Sequence, residues 1–199
     1  MKKFRSISMA LLLVAACTLS ASALSHTVKP GDTMWKVASN YQVGTSEVMD
    51  ANPQIPNPNL IYPGQILTIP QVNDSVSAFE NEVIRLVNEQ RAQNGLPALK
   101  ANWELSRVAR YKSQDMVDNH YFSHTSPTYG TPFQMLRSFG LSYRTAGENI
   151  AYGQKTPQAV VNAWMNSSGH RANILNASYT QIGVGYVADG HYWTQLFIG

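Results

Sequence analysis

The sequence predicts an α+β chain of two units: a small βααβ unit, then a larger one with helices on both faces of a small antiparallel sheet. Three observations carry this reading. Two strand-like runs flank two helical runs between His26 and Pro70. Beyond them, helical stripes alternate with three strand-like runs, "GENIAYG", "QIGVGYVA" and "HYWTQLFIG". Finally, 44% hydrophobic and 14% charged residues in 199 suit packed globular units rather than long disordered stretches.

The chain opens with a basic "MKKFR", a short apolar "ISMALLLVAA" and small residues at Ala21 and Ala23. This is the pattern of a secretory signal over residues 1–23, cleaved after Ala23. The competing reading is lipidation at Cys17 in "VAAC", which would anchor the chain as a lipoprotein. Both readings export the protein. No later segment approaches the roughly 18 consecutive apolar residues of a membrane span.

Removing Lys2, Lys3 and Arg5 with the signal leaves 12 basic and 12 acidic side chains. The formal charge of +3 therefore belongs to the leader. The remainder holds no basic block of the kind nucleic-acid binding needs. Cys17 is the one cysteine, so cleavage after Ala23 removes any thiol nucleophile or intrachain disulfide.

In the first unit "HTVKP" reads as a strand and Asp32 as the N-cap of the helix "TMWKVASNY", with Met34, Val37, Ala38 and Tyr41 on one face. Thr45 or Ser46 is expected to cap a second helix, "SEVMDAN". Pro53, Pro56 and Pro58 forbid helix beyond it, and "GQILTIP" closes the unit as a strand. The start "HTVKPGDTMWKVA" and end "NPNLIYPGQILTIP" closely resemble a LysM domain over residues 26–70. The resemblance implies binding to N-acetylglucosamine-containing polymers, peptidoglycan or chitin. It places Asp32, Thr33, Met34, Asn59, Leu60 and Ile61 along a shallow groove where backbone groups and a small apolar surface meet the sugar. The structural alternative makes Met34 and Ile61 core residues and Asp32 a cap.

"QVNDSVS" reads as a polar linker over residues 71–77, with Ser77 and Glu80 as a capping box opening a second unit over 78–199. Phe79, Val83, Leu86 and Val87 form the stripe of its first helix, which Gly95 ends. A second helix carries Leu105, Val108, Ala109 and Met116. "TPFQMLRSFG" and "TPQAVVNAWMNSSG" each open with a threonine N-cap and a proline at the first helical position. Asp189-Gly190 is a two-residue turn between the last two strands. Trp164, Phe133, Phe139 and Tyr143 are expected in the core.

"VNEQRAQNGLPAL", "FSHTSP", "GENIAYG", "AWMNSSGHRANILN" and "IGVGY", in this order, resemble the CAP superfamily in its bacterial form. The resemblance implies an α-β-α sandwich around an open cavity that holds two histidines and two glutamates. It maps one histidine onto His124, a glutamate onto Glu148 and the other histidine onto His170. The second glutamate falls on Ser167, whose hydroxyl carries no fixed charge. Two imidazoles and one carboxylate still form a candidate site for Zn²⁺ or another divalent cation, weaker than a full set.

His120 and His124 stand at metal-ligand spacing, but the H-E-x-x-H motif needs a glutamate where Tyr121 sits. His120 is instead expected to end a helix, and His191 to lie at the surface or in the last strand. Ser168 lacks the G-x-S-x-G elbow of a hydrolase.

These readings combine into an exported protein of the bacterial wall, or of a spore envelope, with LysM as its attachment. The second unit then offers a cavity for a small ligand, lipid or protein. The alternative is a hydrolase, with Glu148 as general base and His124 and His170 holding a metal or polarising a carbonyl. Absence of the second glutamate favours binding over catalysis.

Overall fold

The computed structural model describes residues 24–199. The signal and the Cys17 lipidation reading lie outside the described residues.

The first unit is β1 (Leu24–Thr27), α1 (Met34–Asn40), α2 (Thr45–Asp50) and β2 (Ile66–Ile69). The strands pair antiparallel, Leu24 opposite Ile69 and Thr27 opposite Ile66. Met34, Val37, Ala38, Val48, Leu67 and Ile69 are buried between helices and hairpin. Two caps differ from expectation. Thr33, not Asp32, caps α1, its hydroxyl accepting from Lys36 N at 3.2 Å. Asp32 instead accepts from Lys29 N at 2.8 Å and contacts His26 Nε2 at 2.9 Å, pinning the turn. Gly44 stands at the N-cap of α2, with Thr45 already helical.

Asn52 ties this unit together. Its amide donates to Val48 O (2.6 Å) and Thr68 O (2.8 Å), and its carbonyl accepts from Thr68 N (2.8 Å). A side chain thereby extends the ladder to the loop after α2, at a buried position where unpaired backbone would be costly.

The second unit begins earlier than predicted. Helix α3 spans Asp74–Gln93 and Asn73 caps it, so Ser77 lies inside the helix. Glu80 has left the capping role for the interior, where it takes the Arg110 guanidinium at 2.6–3.0 Å and Tyr186 N at 3.1 Å. Burial raises the Glu80 carboxyl above its usual range, against the opposing pull of Arg110. The connection between the units shortens to Pro70–Asn73.

The remaining elements are β3 (Lys100–Ala101), α4 (Trp103–Asp118), α5 (Pro132–Ser138), β4 (Ala146–Tyr152), α6 (Pro157–Met165), α7 (Ser168–Ile174), β5 (Gln181–Val187) and β6 (Tyr192–Ile198). The sheet order is β3-β5-β6-β4. It is antiparallel except for β3, which runs parallel to β5. Helices α3, α6 and α7 pack on one face around Trp164, Trp193 and Phe197, while α4 and α5 pack on the other around Leu105, Ala109 and Leu196. This is the α-β-α sandwich.

Both Thr-Pro openings behave as predicted, and Thr131 forms a full capping box with Gln134. The "IGVGY" glycines have a packing reason. A Cβ on Gly183 would lie 2.3 Å from Leu105 backbone, and one on Gly185 2.1 Å from Ala109 backbone. Helix α4 thus lies directly on strand β5.

Three local expectations change. The β5–β6 link is a 3₁₀ turn over Asp189–His191, with Gly190 and His191 at φ 69° and 54°. His191 sits in that turn, bonded to the Tyr186 hydroxyl at 2.7 Å. Phe133 is 46% exposed rather than core, whereas Trp164 is buried as predicted.

Candidate functional site

Helix α4 builds the loop that carries His124. Lys112 and Asp115, three residues apart, share a helix face, and both are buried. The Lys112 ammonium donates to Tyr121 Oη (2.9 Å), Ser123 O (2.8 Å) and His124 O (3.2 Å). Asp115 accepts from Ser126 Oγ (2.6 Å), Thr128 Oγ1 (2.5 Å), Asn119 Nδ2 (2.8 Å) and the Tyr121 hydroxyl. Burial pushes the Asp115 carboxyl up, yet the bonds from Ser126, Thr128 and Tyr121 outweigh it and hold the carboxyl below its usual value. Burial lowers the Lys112 ammonium. Segment 121–128 is thus tied to a helix by two buried charges.

Strand β4 supplies the carboxylate. It is an edge of the sheet, and side chains close its outer side: Asn173 Nδ2 donates to Glu148 O at 3.1 Å and Trp164 Nε1 to Ile150 O at 3.3 Å. Such closure also blocks further strand pairing. Glu148 is 7% exposed. Its Oε1 meets His124 Nδ1 at 2.7 Å, while its Oε2 is buried with no partner. Two residues before His124, Phe122 packs edge-on against Tyr152, four residues after Glu148 on the same strand.

His170 lies in α7, a short helix at the end of the "TPQAVVNAWMNSSG" run that the sequence reading did not separate out. Asn149 Nδ2 holds its backbone carbonyl at 3.1 Å, and Asn173 bonds Asn149 Oδ1 at 2.9 Å. Residues 148 and 149 therefore face the His124 loop on one side and α7 on the other. Ser167 is the N-cap residue of α7 and is half-buried.

The electrostatics separate the two imidazoles. Hydrogen bonding to Glu148 raises His124 above the ordinary imidazole range, against desolvation and Lys112. Burial lowers His170, and the proximity of His124 lowers it further. The two imidazoles are thus shifted in opposite directions.

His124 and Glu148 are in direct contact, and His170 lies within electrostatic reach of His124. The metal reading fares differently. Among the described residues no group of three or more His, Cys, Asp or Glu is placed to hold a metal ion. One Glu148 oxygen is already taken by His124, and Ser167 adds no charge. His120 follows the end of α4 at φ 53° and is exposed, apart from the pair.

The LysM candidates divide. Met34 is 4% exposed and belongs to the core, Ile61 packs against that core, and Asn59 and Leu60 are exposed. A hollow of ≈ 340 Å³ lies between Met34, Met49, Pro53, Ile55 and Pro58. Of the six sequence candidates only Met34 lines it. The prolines that forbid helix after α2 were the available signal for the rest.

The fold matches known families. The chain belongs to the cysteine-rich secretory protein (CAP) family, whose model matches residues 84–197, and it carries a LysM domain matched over residues 26–70. It is 62% identical over 125 residues to the uncharacterised protein YkwD of Bacillus subtilis, covering 63% of this chain and 49% of that one. It is similar to the crystal structure of an extracellular SCP-domain protein of Bacillus anthracis (TM-score 0.59, 37% identity, 68% of this chain and 46% of that one). Its front part is 32% identical over 62 residues to the N-acetylmuramoyl-L-alanine amidase sle1 of Staphylococcus aureus, covering 31% of this chain and 18% of that one. The chain spans about half or less of the curated relatives its CAP part matches. Among the described residues no helix is long and apolar enough to cross a membrane.

Proposed function

We propose that this is an exported, wall-associated protein. Its LysM domain attaches it to N-acetylglucosamine-containing glycan, and its CAP domain presents His124 and Glu148 as a ligand-binding pair. The buried, unpartnered Oε2 of Glu148 carries the second half of this reading. Buried acceptors without partners are rare, because each forfeits solvation that a ligand donor can restore. The ligand is therefore a molecule that offers Glu148 an N–H or O–H while His124 holds the other oxygen. The LysM half draws on the family match and on the resemblance to part of a wall amidase. Attachment beside the CAP unit raises that unit's effective concentration at the wall.

The same oxygen supports a hydrolytic reading, with Glu148 as general base beside His124. The CAP fold alone does not choose between binding and hydrolysis. Sedimentation with purified sacculi tests the attachment. The full chain is expected in the pellet, and the chain lacking residues 24–70 in the supernatant. Equal retention of both would overturn the LysM assignment. Release of soluble muropeptides by the full chain, abolished in Glu148→Gln, would replace binding with hydrolysis.

A further inference from the structure

The LysM and CAP units meet along a seam built around one arginine. Arg107 of α4 donates from Nε to Glu47 Oε1 of α2 at 2.6 Å and from Nη2 to Ser46 Oγ at 3.1 Å. Tyr111 Oη donates to the same Glu47 oxygen at 2.8 Å. The guanidinium lies 5.1 Å from the Phe139 ring centroid and 5.3 Å from that of Tyr111. Gly44 makes room for it. A Cβ there would fall 1.7 Å from Glu47 Oε2 and 2.3 Å from Arg107 Cζ. Its φ is −74°, so the backbone does not require glycine. A side chain there would instead push the Glu47 and Arg107 ends out of their present places.

Beside this latch runs a cleft of ≈ 200 Å³ with walls from both units. Trp35, Ser39 and Thr45 come from the LysM side, and Trp103, Glu104 and Phe139 from the CAP side. Trp35 is 67% exposed, an unusual position for a tryptophan in a small domain with its own apolar core.

We propose that this seam is a composite saccharide subsite. A sugar ring has an apolar C–H face and a rim of hydroxyls. The cleft is lined by two tryptophans to suit the one, and by Glu104, Ser39 and Thr45 to suit the other. Trp35 follows Thr33 and Met34 on the same short helix but, unlike buried Met34, is exposed, so an oligomer longer than the LysM groove is proposed to reach the seam. Ligand sites favour domain junctions for this reason: two rigid walls converge there. The inference rests on the LysM assignment and extends it, because half of the subsite belongs to the CAP unit. An acyl chain is the poorer fit, since the cleft places a carboxylate and a guanidinium on its wall.

Calorimetric titration of the full chain with N-acetylglucosamine trimer and hexamer tests this. Trp103→Ala and Trp35→Ala are each expected to weaken hexamer binding roughly fivefold, the scale of one aromatic contact. Trimer affinity stays the same in Trp103→Ala, because the short oligomer needs only the LysM groove. Gly44→Ala removes no ring, yet by displacing Arg107 it is expected to give the same hexamer loss. Unchanged hexamer affinity in Trp35→Ala and in Trp103→Ala, with native circular dichroism, would overturn the seam and leave the LysM assignment standing. Should Trp103→Ala fail to fold, the exposed Trp35→Ala decides alone. Failure of the wild-type chain to bind either oligomer would remove both readings.

Discussion

In the LysM unit Asn52 is the one buried polar side chain among the described residues, and both ends of its amide are bonded. In the CAP unit eleven are buried, among them Glu80, Arg91, Lys112, Asp115 and Glu148. A LysM-sized unit closes its core with hydrophobic residues and one amide, leaving its ligand surface outside. The CAP unit runs charges through its interior and uses them to hold loops. Arg91 reaches Pro97 O, Ile174 O and Asn176 O at 2.8–2.9 Å, and Lys112 and Asp115 hold the His124 loop. The difference teaches where to look for function. Glu80 and Asp115 have both carboxylate oxygens engaged and act as scaffold, whereas among these buried carboxylates Glu148 has one oxygen without a protein partner, as Arg91 has one such nitrogen.

This contrast is open to breaking. Arg110→Ala leaves Glu80 buried without its counter-charge and is expected to cost about 3–5 kcal/mol of unfolding free energy in guanidinium titration. A loss under about 1 kcal/mol would mean that the CAP interior admits water and that its ion pair is no scaffold. Asn52→Ala strands the Thr68 amide N–H, with an expected loss of about 1–3 kcal/mol, read by calorimetric unfolding of the full chain. A neutral result would show that the LysM core stands without its buried amide. The smallest effect belongs to the functional pair. In Glu148→Gln a neutral amide replaces the carboxylate, and global stability is expected to change little above pH 7. The sign follows from His124. Its pKa is raised on folding, so the pairing contributes in full below its unfolded value and is lost as pH rises through the folded one. Its half-exposed ring keeps that contribution small.

The parts legible in the sequence were those written locally. Thr131-Pro132 and Thr156-Pro157 carry their own helix starts. The five CAP motifs singled out His124 and Glu148, which the fold brings into contact. Long-range features were hidden. Nothing local marks Lys112 and Asp115 for burial, because their partners lie in a loop past the helix end. Glu80 looked like a capping residue, since nothing local announces Arg110 thirty residues away. Two-residue β3 has no periodicity to detect. The groove side chains divided for a similar reason: Met34 fits either a core or a ligand surface until its packing partners are known.

The most direct test of the His124–Glu148 assignment is titration of the His124 imidazole by NMR, in the wild-type chain and in Glu148→Gln. The account predicts that wild-type His124 titrates above the ordinary imidazole value of about 6.5, and that it falls back towards that value in the variant. An imidazole that titrates at the ordinary value in both chains would show that the two groups do not act as a pair, and the proposed ligand site would lose its foundation.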